Sequence, residues 1–277
     1  MKKMYFVMAF CGLTILGFSQ INNSEEGKTT TYSTATWTGN VDNEWLLDGN
    51  WDVGVPDENT DVIIPVGLVN YPLVQWVKSS APTCHDITLE SNSNGSASLF
   101  GQVFLNVTGT AYVQKNVSGY TTSEDGWYFL SSPIHNPSIS GSDFVSGTFD
   151  LYRWGENIEA DEKWLNYEGG SFGVTEYLWA RGYLFAESLG GTFNFVGDFN
   201  GDCCYGAYLT YTAGEGDGWN LIGNPYCSGV DWNTLDKSEG NIDGSFYIVN
   251  PDDGTYLVSN GTSGDLSPAN EIPICQG

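Results

Sequence analysis

The residues best placed to hold an ion are Asp198-Phe199-Asn200-Gly201-Asp202, where side-chain oxygens at positions 1, 3 and 5 open like a calcium loop. The continuation departs from that chemistry. An EF-hand-type loop needs Gly at position 6 and a bidentate acid at position 12; here those positions hold Cys203 and Leu209. A turn is the favoured reading, with Asn200-Gly201 at the positive-φ positions. Asp198, Asn200 and Asp202 stay as the calcium candidates, and no cofactor is expected. The acids Glu156, Glu159, Asp161 and Glu162 could supply a glycosidase pair only if one had a raised pKa at a fixed distance from the other. Clustered in one polar run, they read more simply as a solvated loop. His85 and His135 stand outside any Ser, Cys or Glu motif, so a nucleophilic triad has nothing to build on. No residue is assigned as catalytic. Trp154, Trp164 and Trp179 are the ligand-binding candidates, since flat rings stack on sugars. Rings also build the core of small β domains, and both readings stay open for these three. Trp127 and Trp219 are expected in the core.

Those last two tryptophans belong to a phrase that the chain states twice. Gly126-Trp127-Tyr128-Phe129-Leu130-Ser131-Ser132-Pro133-Ile134 returns as Gly218-Trp219-Asn220-Leu221-Ile222-Gly223-Asn224-Pro225-Tyr226. Phe149 to Trp154 then matches Phe246 to Pro251, and Arg181-Gly182 matches Gln276-Gly277. Self-similarity held over this distance signals duplicated structural units.

Composition sets the class of those units. With 35 Gly, 14% aromatic residues and few Ala-Leu-Glu-Lys runs, strands and turns are favoured over helices. An all-β chain is expected, divided into residues 1–19, 20–35, 36–118, 119–213 and 214–277. Residues 1–19 read as an export signal: Lys2-Lys3, an apolar run from Tyr5 to Phe18, and a small-x-small end at Gly17-Phe18-Ser19. That run is too short to span a bilayer, so membrane insertion is not expected. Residues 20–35 are polar and aperiodic, a leader. The formal charge of −25 repels nucleic acid and anionic lipid. An exported chain meets an oxidising compartment, where its cysteines can pair.

In residues 36–118, Trp37, Trp45 and Trp51 are spaced to close a loop-rich cap, and Asp61 to Pro65 is a short strand stopped by Pro. Further strands of about five residues are expected at Cys84–Leu89, Ala97–Phe100, Val103–Val107 and Thr110–Val117. A sandwich is the first reading of this N-terminal β domain, and a short β-helix-like stack the second. Residues Thr192–Gly197 and Ala207–Tyr211 alternate with period two, as a hairpin or edge pair would.

The run Trp37-Thr38-Gly39, Asn50-Trp51, Val55-Pro56 and Asp61-Val62-Ile63-Ile64-Pro65 resembles the start of the mature region in secreted Bacteroidetes surface proteins of the type IX secretion kind. The second phrase, Gly218 to Tyr226 followed by Cys227-Ser228-Gly229-Val230-Asp231-Trp232, is similar to a repeat of the same family. The resemblance implies export, surface display and an adhesive or structural role, with the export machinery and an extracellular glycan or surface protein as partners. Glycan binding, or an accessory role in polysaccharide processing, is the alternative. It also implies a strand after the closing Gly, as the first copy continues into Tyr183-Leu184-Phe185-Ala186. The second unit is therefore expected to be incomplete and the chain a fragment. Cys227 and Cys275 both depart from the family phrase, and two departures in one repeat suggest a Cys227–Cys275 disulfide.

Overall fold

A computed structural model describes residues 31–78, 81–158, 163–201, 206–214, 218–238, 242–266 and 271–277. The expected export signal, most of the expected leader, and Glu159, Asp161, Glu162, Asp202, Cys203 and Cys204 lie outside the described residues. The described chain is nearly all β, and no helix in it is long and apolar enough to cross a membrane.

The N-terminal part carries strands β1 (Ser33–Thr36), β2 (Thr60–Ile64), β3 (Thr83–Cys84), β4 (Ile87–Leu89), β5 (Ser91–Asn92), β6 (Gly95–Ser96), β7 (Asn106–Val107) and β8 (Ala111–Ser118). Strands β1, β2, β4 and β8 pair in parallel in that order, giving a β-solenoid of about 3 turns. The stacked rungs of the second reading are what the chain forms. The reason lies in the register: Ala35, Val62, Ile87 and Ala111 are aligned partners, as are Ile64, Leu89 and Val113, and all of them are buried. Each short strand alternates in and out, so β2, β4 and β8 each add one apolar residue to both of two internal ladders, and β1 adds Ala35 to the first. A second wall forms from the parallel bridges Glu44↔Leu73 and Leu73↔Phe100 and from β3 beside β7.

The three tryptophans close the first rung as expected. Trp51 meets Trp37 edge-on at 5.0 Å and Trp45 at 4.8 Å, and all three are buried. Buried Asn50 locks the loop between them: its side-chain oxygen accepts from the Val41 and Asp42 N–H groups, and its amide donates to Asp42 and to the Glu44 carbonyl.

Two expected strands change form. Ala97–Phe100 has only a single bridge at Phe100, and Gln102–Phe104 is a 3-10 turn that leaves β7 just two residues long. Gln102 is the physical cause. Its buried side chain accepts from the Cys227 N–H and donates to the Asn200 carbonyl, so the backbone turns to aim it inward.

The first repeat contributes β9 (Tyr128–Leu130), β10 (Phe149–Trp154), β11 (Trp164–Asn166), β12 (Tyr183–Glu187) and β13 (Gly190–Gly197). Four of them form an antiparallel sheet in the order β11-β10-β12-β9. The fifth, β13, does not pair with Ala207–Tyr211 as the alternation suggested. It runs antiparallel to β8 over eight residue pairs, from Gly190↔Ser118 to Gly197↔Ala111, and so ends the solenoid sheet. Period two announces a strand but not its partner. Phe193 and Phe195 thereby join Phe144, Tyr177, Tyr183 and Phe185 in one aromatic core under both sheets.

The second repeat is sparser: β14 (Val230–Asp231) pairs with β17 (Glu271–Ile272), and β15 (Phe246–Val249) pairs with β16 (Tyr256–Ser259). A small core of Trp232, Phe246 and Ile272 holds it.

The two repeats are interlocked. The closing dipeptide of each pairs with the opening phrase of the other: Arg181↔Ile222 and Gln276↔Leu130 are antiparallel bridges between equivalent positions. The Gly182 N–H donates to the Leu221 carbonyl at 3.2 Å, and the Gly277 N–H to the Phe129 carbonyl at 3.1 Å. Likewise Gly223 donates to Ala180 at 3.1 Å, and Ser131 to Cys275 at 3.2 Å. Ala180 and Cys275 share a left-handed backbone, with φ of 54° and 57°, which residues other than Gly seldom adopt. These matched pairs describe an approximate twofold relation, the geometry of a symmetric dimer within one chain.

Candidate functional site

Where the first repeat's sheet meets the β15–β16 hairpin, a cleft of about 280 Å³ opens. Its floor is Phe129, Leu184 and Val249, and its walls are the Trp127, Trp164 and Tyr256 rings. Each ring is placed by a strand or turn: Trp164 opens β11, Tyr256 opens β16 after the Gly254 turn, and Trp127 precedes β9. Phe129 lies between the other two, with centroids 6.5 Å from Trp164 and 6.1 Å from Tyr256. Trp164 keeps 37% of its surface exposed and Tyr256 keeps 59%. Polar groups at the rim come from Ser123, Glu124 and Asp253. The Asp253 carboxyl lies below its ordinary pKa because the Thr255 hydroxyl and N–H donate to it. Flat apolar rings beside carboxylate acceptors suit a ligand with one apolar face and several hydroxyls.

Of the three predicted rings, only Trp164 lines this cleft. Trp154 stands behind it at 4.9 Å, its indole N–H donated to the Trp219 carbonyl at 2.5 Å. Trp179 sits elsewhere, on the turn before the closing dipeptide, with its backbone N–H on the Asn136 side chain. The core expectation fails for the phrase tryptophans: Trp127 is half-buried and Trp219 is 54% exposed. Tyr256 was missed because a lone Tyr after a Gly turn carries no periodic signal.

Of the acidic candidates, Glu156 alone lies within the described residues, and it does structural work. Glu156 is buried rather than solvated; it accepts from the Thr212 N–H and hydroxyl and from the Gly218 N–H, the last of these in the second repeat. Burial alone would raise its pKa; the hydrogen bonds from Thr210, Thr212 and Gly218 outweigh that and leave it lowered.

Asn200 is fully buried, and neither it nor Gly201 takes a positive φ, which corrects the expected turn. Its amide donates to the Ser132 carbonyl of one phrase and the Pro225 carbonyl of the other, at 3.3 and 2.9 Å. Asp198 remains exposed. The structure holds Cys227 and Cys275 as free, buried thiols, with burial pushing both pKa values up, that of Cys275 to about 12.

A further group joins consecutive solenoid rungs. His85 Nδ1 lies 2.7 Å from Asp61 and 3.5 Å from Asp86, with the Tyr32 ring stacked on the imidazole at 3.5 Å. Asp61 also accepts from the Asp86 N–H and Asp86 from the Thr110 N–H, so both carboxylates staple backbone between rungs. The three side chains offer ligand atoms within 4.8 Å of one another.

No family model matches this chain, and neither a curated protein nor a solved structure matches it.

Proposed function

We propose that the protein is an exported, surface-displayed binding module of adhesive type, and that the cleft between the repeats takes a sugar ring of an extracellular glycan. The observation that carries this reading is the pair of exposed rings, Trp164 and Tyr256, facing a floor of Phe129 with Glu124 and Asp253 at the rim. A ring CH face stacks on the aromatics while hydroxyls donate to the acids. The cleft volume leaves room for about one sugar ring. Export and surface display rest on the N-terminal sequence pattern and on the family resemblance.

A glycan array probed with the purified chain tests the reading. Binding that falls at least tenfold in both Trp164→Ala and Tyr256→Ala supports it. A blank array, or binding unchanged by these substitutions, overturns it in favour of a purely structural surface role.

A further inference from the structure

Asp61 and Asp86 stand at the same height on neighbouring solenoid rungs. Backbone hydrogen bonds bracket them, from the His85 N–H to the Thr60 carbonyl and from the Val62 N–H to the Asp86 carbonyl, both at 2.8 Å. Val62 and Ile87 are paired and buried, so period two turns the residue before each of them outward on one wall. Like charges set opposite one another in a sheet are destabilising, and this chain already carries 34 acidic against 9 basic residues. The side chain set against both carboxylates is the His85 imidazole, not a lysine or an arginine.

The surroundings of the three residues fit a bound cation. Tyr32 lies flat on the imidazole, with 9° between the planes, which fixes the ring and leaves Nδ1 directed at both carboxylates. The 3.5 Å from Nδ1 to Asp86 matches the edge of about 3.4 Å between ligands of a tetrahedral ion with bonds of about 2.0–2.1 Å. The Asp86 and Thr110 N–H groups each hold one carboxylate oxygen, as outer partners that orient ligands do. Among the described residues, the second oxygen of each carboxylate accepts no hydrogen bond. Gly109 closes the far side: a Cβ there would lie 2.1 Å from the Asp86 carboxylate and 3.0 Å from His85 Nε2. Its φ is not positive, so space at the cluster requires glycine and backbone conformation does not.

We propose that Asp61, His85 and Asp86 form a zinc-type site that clips the rungs of β2 and β4 together. The ion takes the place of the proton shared between Nδ1 and Asp61. One nitrogen and two carboxylates are three protein ligands, and their side chains keep 21–35% of their surface exposed, which leaves the fourth position to water. Imidazole with carboxylates suits zinc or another late first-row divalent ion. Calcium takes about 6–8 oxygens, more than two carboxylates supply. The site shares no residue with the sugar cleft and does not rest on that reading.

The test uses the full chain without a histidine tag, stripped with a chelator and titrated calorimetrically with zinc chloride, with calcium chloride in parallel. The expected result is saturable binding of one zinc per chain, at least tenfold weaker in Asp61→Asn, Asp86→Asn and His85→Gln, and no calcium binding. Each Asn keeps an oxygen for the backbone N–H groups, so these variants retain the rung contacts. A second measurement needs no change to the site. The chain has two histidines, so His135→Gln leaves His85 alone, and zinc should shift its imidazole NMR signals. The proposal is overturned by no zinc binding, by binding that all three variants retain, by calcium bound as tightly as zinc, or by imidazole signals that zinc does not move.

Discussion

Gly182 and Gly277 meet back to back: a methyl group added to Gly277 would lie 2.9 Å from the Gly182 Cα and 2.7 Å from the Leu130 carbonyl oxygen. They are equivalent residues of the two repeats, so the approximate twofold passes between them. Ser131 and Gly223, also equivalent, meet the same way, since a Cβ on Gly223 would come within 2.4 Å of the Ser131 Cβ. Small residues are required along this line because two backbones cross there.

Gly182→Ala should therefore destabilise the protein by about 1–3 kcal/mol, the usual cost of overpacking. Its Cβ would sit 2.6 Å from Leu221 Cγ and 2.7 Å from the Ile222 carbonyl oxygen. Gly201→Ala, with nothing among the described residues within 4 Å of the added atom, should change stability by less than about 0.5 kcal/mol. Urea unfolding of both variants checks the contrast.

Glu156 predicts a pH dependence. Its folded pKa is lowered from 4.5, so on acidification the unfolded chain takes up the proton first. The stabilisation is present above the unfolded value and is lost as pH falls through the folded one. Wild-type Tm should fall more steeply below about pH 4.5 than that of Glu156→Gln, which has no such titration.

Asn200→Ala should cost on the order of 2–4 kcal/mol, because it leaves the buried Ser132 and Pro225 carbonyls without their donor. Calcium at millimolar concentration should leave the wild-type Tm unchanged, since Asn200 is fully buried and its amide nitrogen is held by those two carbonyls. A calcium-dependent rise in Tm would contradict this placement.

Cys227 and Cys275 should resist alkylation in the native protein at pH 8 and react fully in denaturant. Burial disfavours the thiolate, which is the reacting form. Mass mapping of iodoacetamide adducts reads this directly.

The rungs and the repeats were legible because each leaves a local mark: alternation in Asp61–Ile64 and Ala111–Val117, and the twice-stated phrase. The interlock was not, because two similar segments look alike whether they pair within a copy or between copies. Gln102 misled for a different reason. Apolar neighbours Val103 and Phe104 suggest a strand, yet one buried amide with partners at residues 200 and 227 decides the backbone. Trp164 could be named from its type, but its cleft is completed by Val249 and Tyr256 from another repeat. No sequence window contains both walls.

The antiparallel docking of β13 on β8 fixes an order of events during synthesis. The two strands are separated by roughly 70 residues, and at about 5–20 residues per second that interval takes several seconds. Until it has passed, the last solenoid rung presents an open edge to every neighbouring nascent chain. A carrier that keeps the polypeptide extended until all of it is made would spare it that interval, whereas folding as it emerges would expose the edge each time.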